Sequence, residues 1–224
     1  MERLLVINYK AYPQAFTDAG ITIAKTARNL ANRLSNTRII LAVPAPLTYK
    51  MSTIYEDIYL QHVDPLDYGS RTGYLPAKSL EHLPVKGTLV NHSEHKLVYR
   101  EISYVVQTVK SIGKEVITCA DTPGEAAGLA YLAPNAIAIE PPELIGTGIP
   151  VSKAKPEVIT DSVTSVAKIN PHLPVLAGAG ITSGEDVRRA YQLGAKGVLV
   201  ASAVMKAANP AEKLEELAVA LDTA

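Results

Sequence analysis

Eight short apolar runs recur along the chain, each followed by a longer stretch of helical pattern. They cover residues 4–7, 38–43, 58–63, 88–91, 115–119, 136–140, 175–177 and 197–200. They are apolar nearly throughout rather than alternating, the pattern of strands covered on both faces. Strands alternating with helices make a parallel sheet. Eight such units, about 25 residues apart, predict a single-domain (β/α)8 barrel over residues 1–224, with a doubly wound open sheet as the alternative. In both architectures chemistry belongs at the C-terminal ends of the strands.

The helical segments differ in quality. Ile23, Ala27, Leu30 and Leu34 share one face, as do Val98, Ile102, Val105, Val109 and Ile112, and later Leu214, Leu217, Ala218 and Leu221. Asp121 and Thr122 before Pro123 read as a helix start, and so does Ser183-Gly184-Glu185-Asp186, whose acids suit the positive end of the helix dipole. The third helix has only residues 76–83 available, bracketed by prolines.

Composition narrows the function. The chain has 224 residues, 47% of them hydrophobic and 20% charged, as in an ordinary globular protein. Its 22 basic and 22 acidic side chains give a net charge of +0, which argues against nucleic acid as partner. No apolar run approaches the roughly 18 residues of a membrane span. The opening Met1-Glu2-Arg3-Leu4 has no signal-peptide or transit-peptide layout. Cys119 is the single cysteine and is read as a small buried hydrophobe, so the expected location is the cytoplasm. His62, His82, His95 and His172 show no ligand spacing, and no metal or other cofactor is expected.

Polar residues cluster at the predicted strand ends. Strand one runs into Asn8-Tyr9-Lys10 and strand four into Asn91-His92-Ser93-Glu94. Strand six ends on Glu140, strand seven opens into Gly178-Ala179-Gly180-Ile181, and strand eight ends in Ala201-Ser202. A barrel brings these ends to one mouth. An acid, an imidazole, a lysine, an asparagine and a glycine-lined anion site would then meet, a set suited to proton abstraction beside a carbonyl on a phosphorylated substrate. Taken singly, Glu140 could be a solvated loop acid, His92 a capping histidine, Lys10 a surface lysine and the glycines a tight turn.

Together these motifs resemble the triosephosphate isomerase family. Asn8-Tyr9-Lys10 resembles its Asn-x-Lys, Asn91-His92-Ser93-Glu94 its Gly-His-Ser-Glu, and Val116-Ile117-Thr118-Cys119 its fifth strand. Glu140-Pro141 followed by Ile145-Gly146-Thr147-Gly148 resembles its catalytic glutamate and flexible lid. The shortened chain, Pro142-Glu143-Leu144 and Gly178-Ala179-Gly180 look like the archaeal branch. The chain departs from the pattern in having Asn91 for a glycine, His95 and Lys96 for arginine-like residues, no lid tryptophan, and Ala201-Ser202 for a glycine pair.

The resemblance implies interconversion of D-glyceraldehyde 3-phosphate and dihydroxyacetone phosphate through an enediolate, in glycolysis and gluconeogenesis, without a cofactor. It implies Glu140 as base, His92 as electrophile, and Lys10 and Asn8 beside them as catalytic residues. Substrate binding would fall to Asn8, Tyr9, Lys10, Ile145, Gly146, Gly180, Ala201 and Ser202. Ser93-Glu94 is expected to begin a helix, whose N-terminus disfavours an imidazolium at His92. Gly69-Ser70-Arg71-Thr72-Gly73 would reach into a neighbouring subunit, with a homotetramer favoured over a dimer. The alternatives are another phosphate-gripping barrel enzyme of the indole- or histidine-pathway kind, and a phosphate-binding barrel without catalysis.

Overall fold

A computed structural model describes residues 2–224. Eight parallel strands close into a barrel in sequence order. They are β1 (Arg3–Asn8), β2 (Thr37–Val43), β3 (Ile58–Leu60), β4 (Gly87–Val90), β5 (Glu115–Ala120), β6 (Ala136–Ile139), β7 (Val175–Gly178) and β8 (Gly197–Val200). Closure is made where β1 pairs with β8, Leu4 opposite Gly197. This is the TIM-barrel fold, and the open-sheet alternative falls.

The alternation of side chains along each strand divides the core in two. Val6, Ile40, Ala42, Tyr59, Leu89, Ile117, Cys119, Ala138, Leu176 and Leu199 fill the barrel interior. Their neighbours, such as Leu5, Ile7, Ile39 and Leu41, face outward into the larger core beneath the helices. Both sets are buried, which is why the strands read as continuous apolar runs. Each such Leu, Ile or Val contributes about 1.5–3 kcal/mol on burial. The floor is closed by charge: Arg38 donates to Asp57 (2.5 Å) and Glu115 (2.9 Å), and the Tyr59 hydroxyl donates to Glu115.

The helices on the outside are α1 (Asp18–Ala31), α2 (Thr48–Ser52), α3 (Tyr99–Ser111), α4 (Pro123–Ala130), α5 (Val151–Ala154), α6 (Pro156–Ala167), α7 (Gly184–Gln192), α8 (Ser202–Met205) and α9 (Pro210–Asp222). The starts at Thr122 and Ser183 are real caps, each side chain accepting from the backbone N–H three residues on. Three expectations need correction. The third unit has a 3-10 helix, Ala77–His82, in place of an α-helix. Strand β3 stops at Leu60, three residues short, where the Gln61 side chain donates to the Ala42 carbonyl. No helix begins at Ser93-Glu94. His95 N–H closes a turn on the His92 carbonyl, and α3 starts at Tyr99 after the Val98 N–H is capped by Glu101. No helix of the described residues is long and apolar enough to cross a membrane.

Candidate active site

Five strand ends, those of β1, β4, β6, β7 and β8, deliver the selected residues to one mouth. Asn8 ends β1 with its side chain buried, and its Oδ1 accepts from the Lys10 N–H at 2.9 Å and from Gln61 Nε2 at 3.2 Å. Lys10 is thereby held at φ 47°, a left-handed conformation that a lysine adopts only at a cost. Its ammonium pairs with Glu94 Oε1 at 2.7 Å.

Asn91, just past β4, also sits in the left-handed region, at φ 62°. This explains how the chain dispenses with a glycine there. Asparagine tolerates that conformation when its amide bonds locally. Its Nδ2 donates to the Cys119 carbonyl (2.9 Å) and Glu125 (2.8 Å), and its Oδ1 accepts from the Leu97 N–H (3.0 Å). Lys96 meets the same Glu125 at 2.9 Å and Asp121 at 3.1 Å. Burial opposes the Lys96 charge, yet these two carboxylates hold its pKa above the ordinary lysine value.

The bend at Asn91 aims His92 into the mouth. His92 and Glu140 are each 5% exposed, with Nε2 3.2 Å from Glu140 Oε2. Neither atom has a hydrogen-bond partner among the described residues. Two buried polar atoms facing each other without a bond are costly unless a third group comes between or beside them. At the other ring nitrogen, the Glu94 N–H donates to Nδ1 at 3.2 Å. An accepting Nδ1 carries no proton, so the ring proton belongs on Nε2, the atom facing Glu140. The tautomer is thus fixed by one turn amide, and the helix terminus expected to disfavour an imidazolium here is absent.

Glu140 follows β6, its N–H still bonded to the Ala120 carbonyl at 2.9 Å. Glycine is required opposite it, because a Cβ on Gly178 would lie 2.3 Å from Glu140 Cγ. Residues 141–149 then arch over the mouth through a 3-10 turn, Pro142–Leu144, with Gly146 and Gly148 at positive φ. Glu143 on this arch pairs with Lys155 behind it. The far end lies on the turn after β7, where a Cβ on Gly180 would meet the Ile149 carbonyl at 1.9 Å.

The mouth has two lobes that share Lys10. One is lined by Glu140, Ile145, Gly146, Gly180, Ala201 and Ser202, together with Tyr12, Ala179, Ile181 and Thr182. The other is lined by Asn8, Gln61, His62, His92, Glu94 and His95. Nine of the ten sequence-selected residues therefore gather here. Tyr9 does not: its side chain is fully buried behind β1, and its hydroxyl donates to the Gly20 carbonyl at 2.9 Å. Burial raises its pKa far above the usual tyrosine value.

Gln61 and Glu94 were not among the selected residues. Glu94 lay within a quoted motif, but its ion pair with Lys10 spans 84 positions and leaves no local trace. No group of three or more His, Cys, Asp or Glu side chains suited to a metal ion occurs among the described residues.

Comparison with known proteins agrees along the whole chain. The family model described as triosephosphate isomerase matches residues 3–218. A triosephosphate isomerase of Methanocaldococcus jannaschii is 42% identical over 214 residues, covering 96% of this chain and 98% of that protein. One of Sulfurisphaera tokodaii is 44% identical over 217 residues, covering 96% and 94%. The crystal structure of triosephosphate isomerase from Bartonella henselae superposes with a TM-score of 0.72 over 99% of this chain and 98% of its own, at 18% identity, a likeness of fold.

Proposed function

Because the chain belongs to the triosephosphate isomerase family, in its archaeal form, we propose that this mouth interconverts D-glyceraldehyde 3-phosphate and dihydroxyacetone phosphate, a step of glycolysis and gluconeogenesis. The observation that carries the reading is the unpartnered pair His92 Nε2 and Glu140 Oε2, 3.2 Å apart and buried beside Lys10. A base and a hydrogen-bond donor so placed can act on a carbon acid and its carbonyl oxygen together.

Glu140 removes a proton from the carbon next to the carbonyl. The electron pair moves onto the carbonyl oxygen, giving an enediolate, and His92 Nε2–H donates to that oxygen as charge develops. Glu140 returns the proton to the neighbouring carbon. The substrate carbonyl is the electron sink, so the step requires no cofactor. Lys10 supplies fixed positive charge near the enediolate and the phosphate, and Asn8 holds Lys10 in its bent conformation. The phosphate fits the lobe lined by Ile145, Gly146, Gly180, Ala201 and Ser202, where the backbone N–H groups of the last four are its natural donors, that of Ile145 being bonded to the Pro142 carbonyl at 3.2 Å. Tyr9 serves this site through its backbone and its packing alone.

The protein is further read as one catalytic domain, cytoplasmic, and a homo-oligomer. A tetramer is favoured over a dimer, and exposed apolar side chains offer surfaces for it. Tyr68 and Tyr74, exposed, flank the loop 69–73, while Val98, Tyr99 and Tyr131 are exposed around α3 and α4. Exposed apolar groups of this kind mark surfaces between subunits. The test of function is a triose phosphate assay coupled to a dehydrogenase. Turnover is expected, and a flat trace from folded protein would instead mark a phosphate-binding module.

A further inference from the structure

Behind the lid lies a charge pair that the reaction itself does not use. Lys153, on α5, places Nζ 3.0 Å from Asp186 Oδ1, at the first turn of α7. Asp186 is only 1% exposed. Its Oδ2 accepts from the backbone N–H groups of Thr182 and Ser183, both at 3.1 Å, and from their hydroxyls at 3.0 and 2.9 Å. Oδ1 is buried and has no hydrogen bond, so the Lys153 ammonium is what answers it. Lys153 also stands 3.9 Å from Glu185, which is exposed to solvent.

The same two segments are strapped together by backbone. Val151 N–H donates to the Ala179 carbonyl at 3.2 Å, and the Ile149 carbonyl fills the space a Cβ on Gly180 would need. One carboxylate therefore holds the Thr182–Ser183 backbone on one side and the rear of the lid on the other. Burial disfavours its charge, yet Lys153 and the four donors keep the Asp186 pKa below the ordinary aspartate value.

We propose that Asp186 and Lys153 are positioning residues that keep the rear hinge of the lid in register with the Ala179–Thr182 wall, so that donors from both sides converge on the substrate phosphate. The inference rests on the reading of that lobe as the phosphate site. Lys153 has a second effect in the same direction: it neutralises a buried carboxylate that would otherwise repel an incoming phosphate dianion.

Lys153→Met tests this without endangering the fold, since the lysine side chain is half exposed. KM for glyceraldehyde 3-phosphate is expected to rise about tenfold, with a smaller fall in kcat, because a hinge displaced by a fraction of an ångström misplaces the donors. The share of turnover lost to methylglyoxal should rise as well. Asp186→Asn should behave alike, and Lys153→Arg should restore the native values. Stabilisation of the folded protein by inorganic phosphate, read as a thermal shift, should weaken in Lys153→Met and recover in Lys153→Arg.

Unchanged KM, methylglyoxal share and phosphate response in Lys153→Met would overturn the inference, as would an arginine variant no better than the methionine one. If wild type responds to phosphate but does not isomerise, the proposed function fails. The phosphate response then still decides the pair.

Discussion

At the scale of single residues, the site depends on reach and on where one proton sits. Glu140→Asp keeps the charge and withdraws the carboxylate by one methylene. The chemical step should slow far more than substrate binding weakens, because proton transfer needs hydrogen-bond distance. Near-native turnover by this variant would remove Glu140 from the base role. His92→Asn should leave the barrel folded and cost about 100-fold or more in kcat, the scale of a lost oxyanion donor. A change confined to KM would make His92 a binding residue. Lys10→Met should lower capture and turnover together, and raising salt on wild type should reproduce part of the capture loss; unchanged kinetics would return Lys10 to the role of a surface cation. These residues were legible because polar groups at the ends of apolar strands have no other place to go. The tautomer of His92 was not. It depends on a turn at residues 92–95 whose hydrogen bond to Nδ1 leaves no sequence pattern, whereas Ser93-Glu94 imitates a helix start.

At the scale of elements, residues 141–149 join a proline-stiffened start to a glycine-loosened end and are tied down at both. An enediolate left open to water breaks its carbon–oxygen bond to phosphate and becomes methylglyoxal. Excising residues 143–146 and rejoining the ends should lower glyceraldehyde 3-phosphate turnover and raise the methylglyoxal fraction sharply, as water enters and the phosphate loses the Ile145–Gly146 backbone. A fall in activity with no added methylglyoxal would reduce the loop to a binding contact. Seven of the eight strands were placed within one residue or so at each end, since burial on both faces writes itself as an unbroken apolar run. The third unit was the exception. Its strand breaks at a side-chain amide, and a 3-10 turn between prolines has no 3.6-residue period to read.

At the scale of the whole molecule, the long excursion between β3 and the 3-10 turn carries exposed Tyr68 and Tyr74. It is pinned at its base where Asp64 accepts from the Leu75 N–H at 2.5 Å. Replacing residues 69–73 by a short linker should shift the protein toward smaller species and lower activity, because Asn8 and Lys10 lose a neighbour that steadies them. A fully active monomer by light scattering would reject this. Closure of the barrel was legible from the count of strands, but the side-chain bonds that tie β1 to the end of α9 were not, being the farthest apart in the chain. Arg3 on β1 donates to the carbonyls of Leu221 (2.7 Å), Asp222 (2.6 Å) and Ala224 (2.8 Å), bridging up to 221 positions. Strand β1 is made before every other strand of the barrel and is therefore among the last to be satisfied. Its free edge, apolar and unzipped, waits for β8 while the rest of the barrel is made, a standing invitation to misplaced strands. A rearranged gene that begins at β2 and delivers β1 directly after α9 would only hand that wait to the β2 edge, so such a permutant should aggregate during synthesis about as much as the original order.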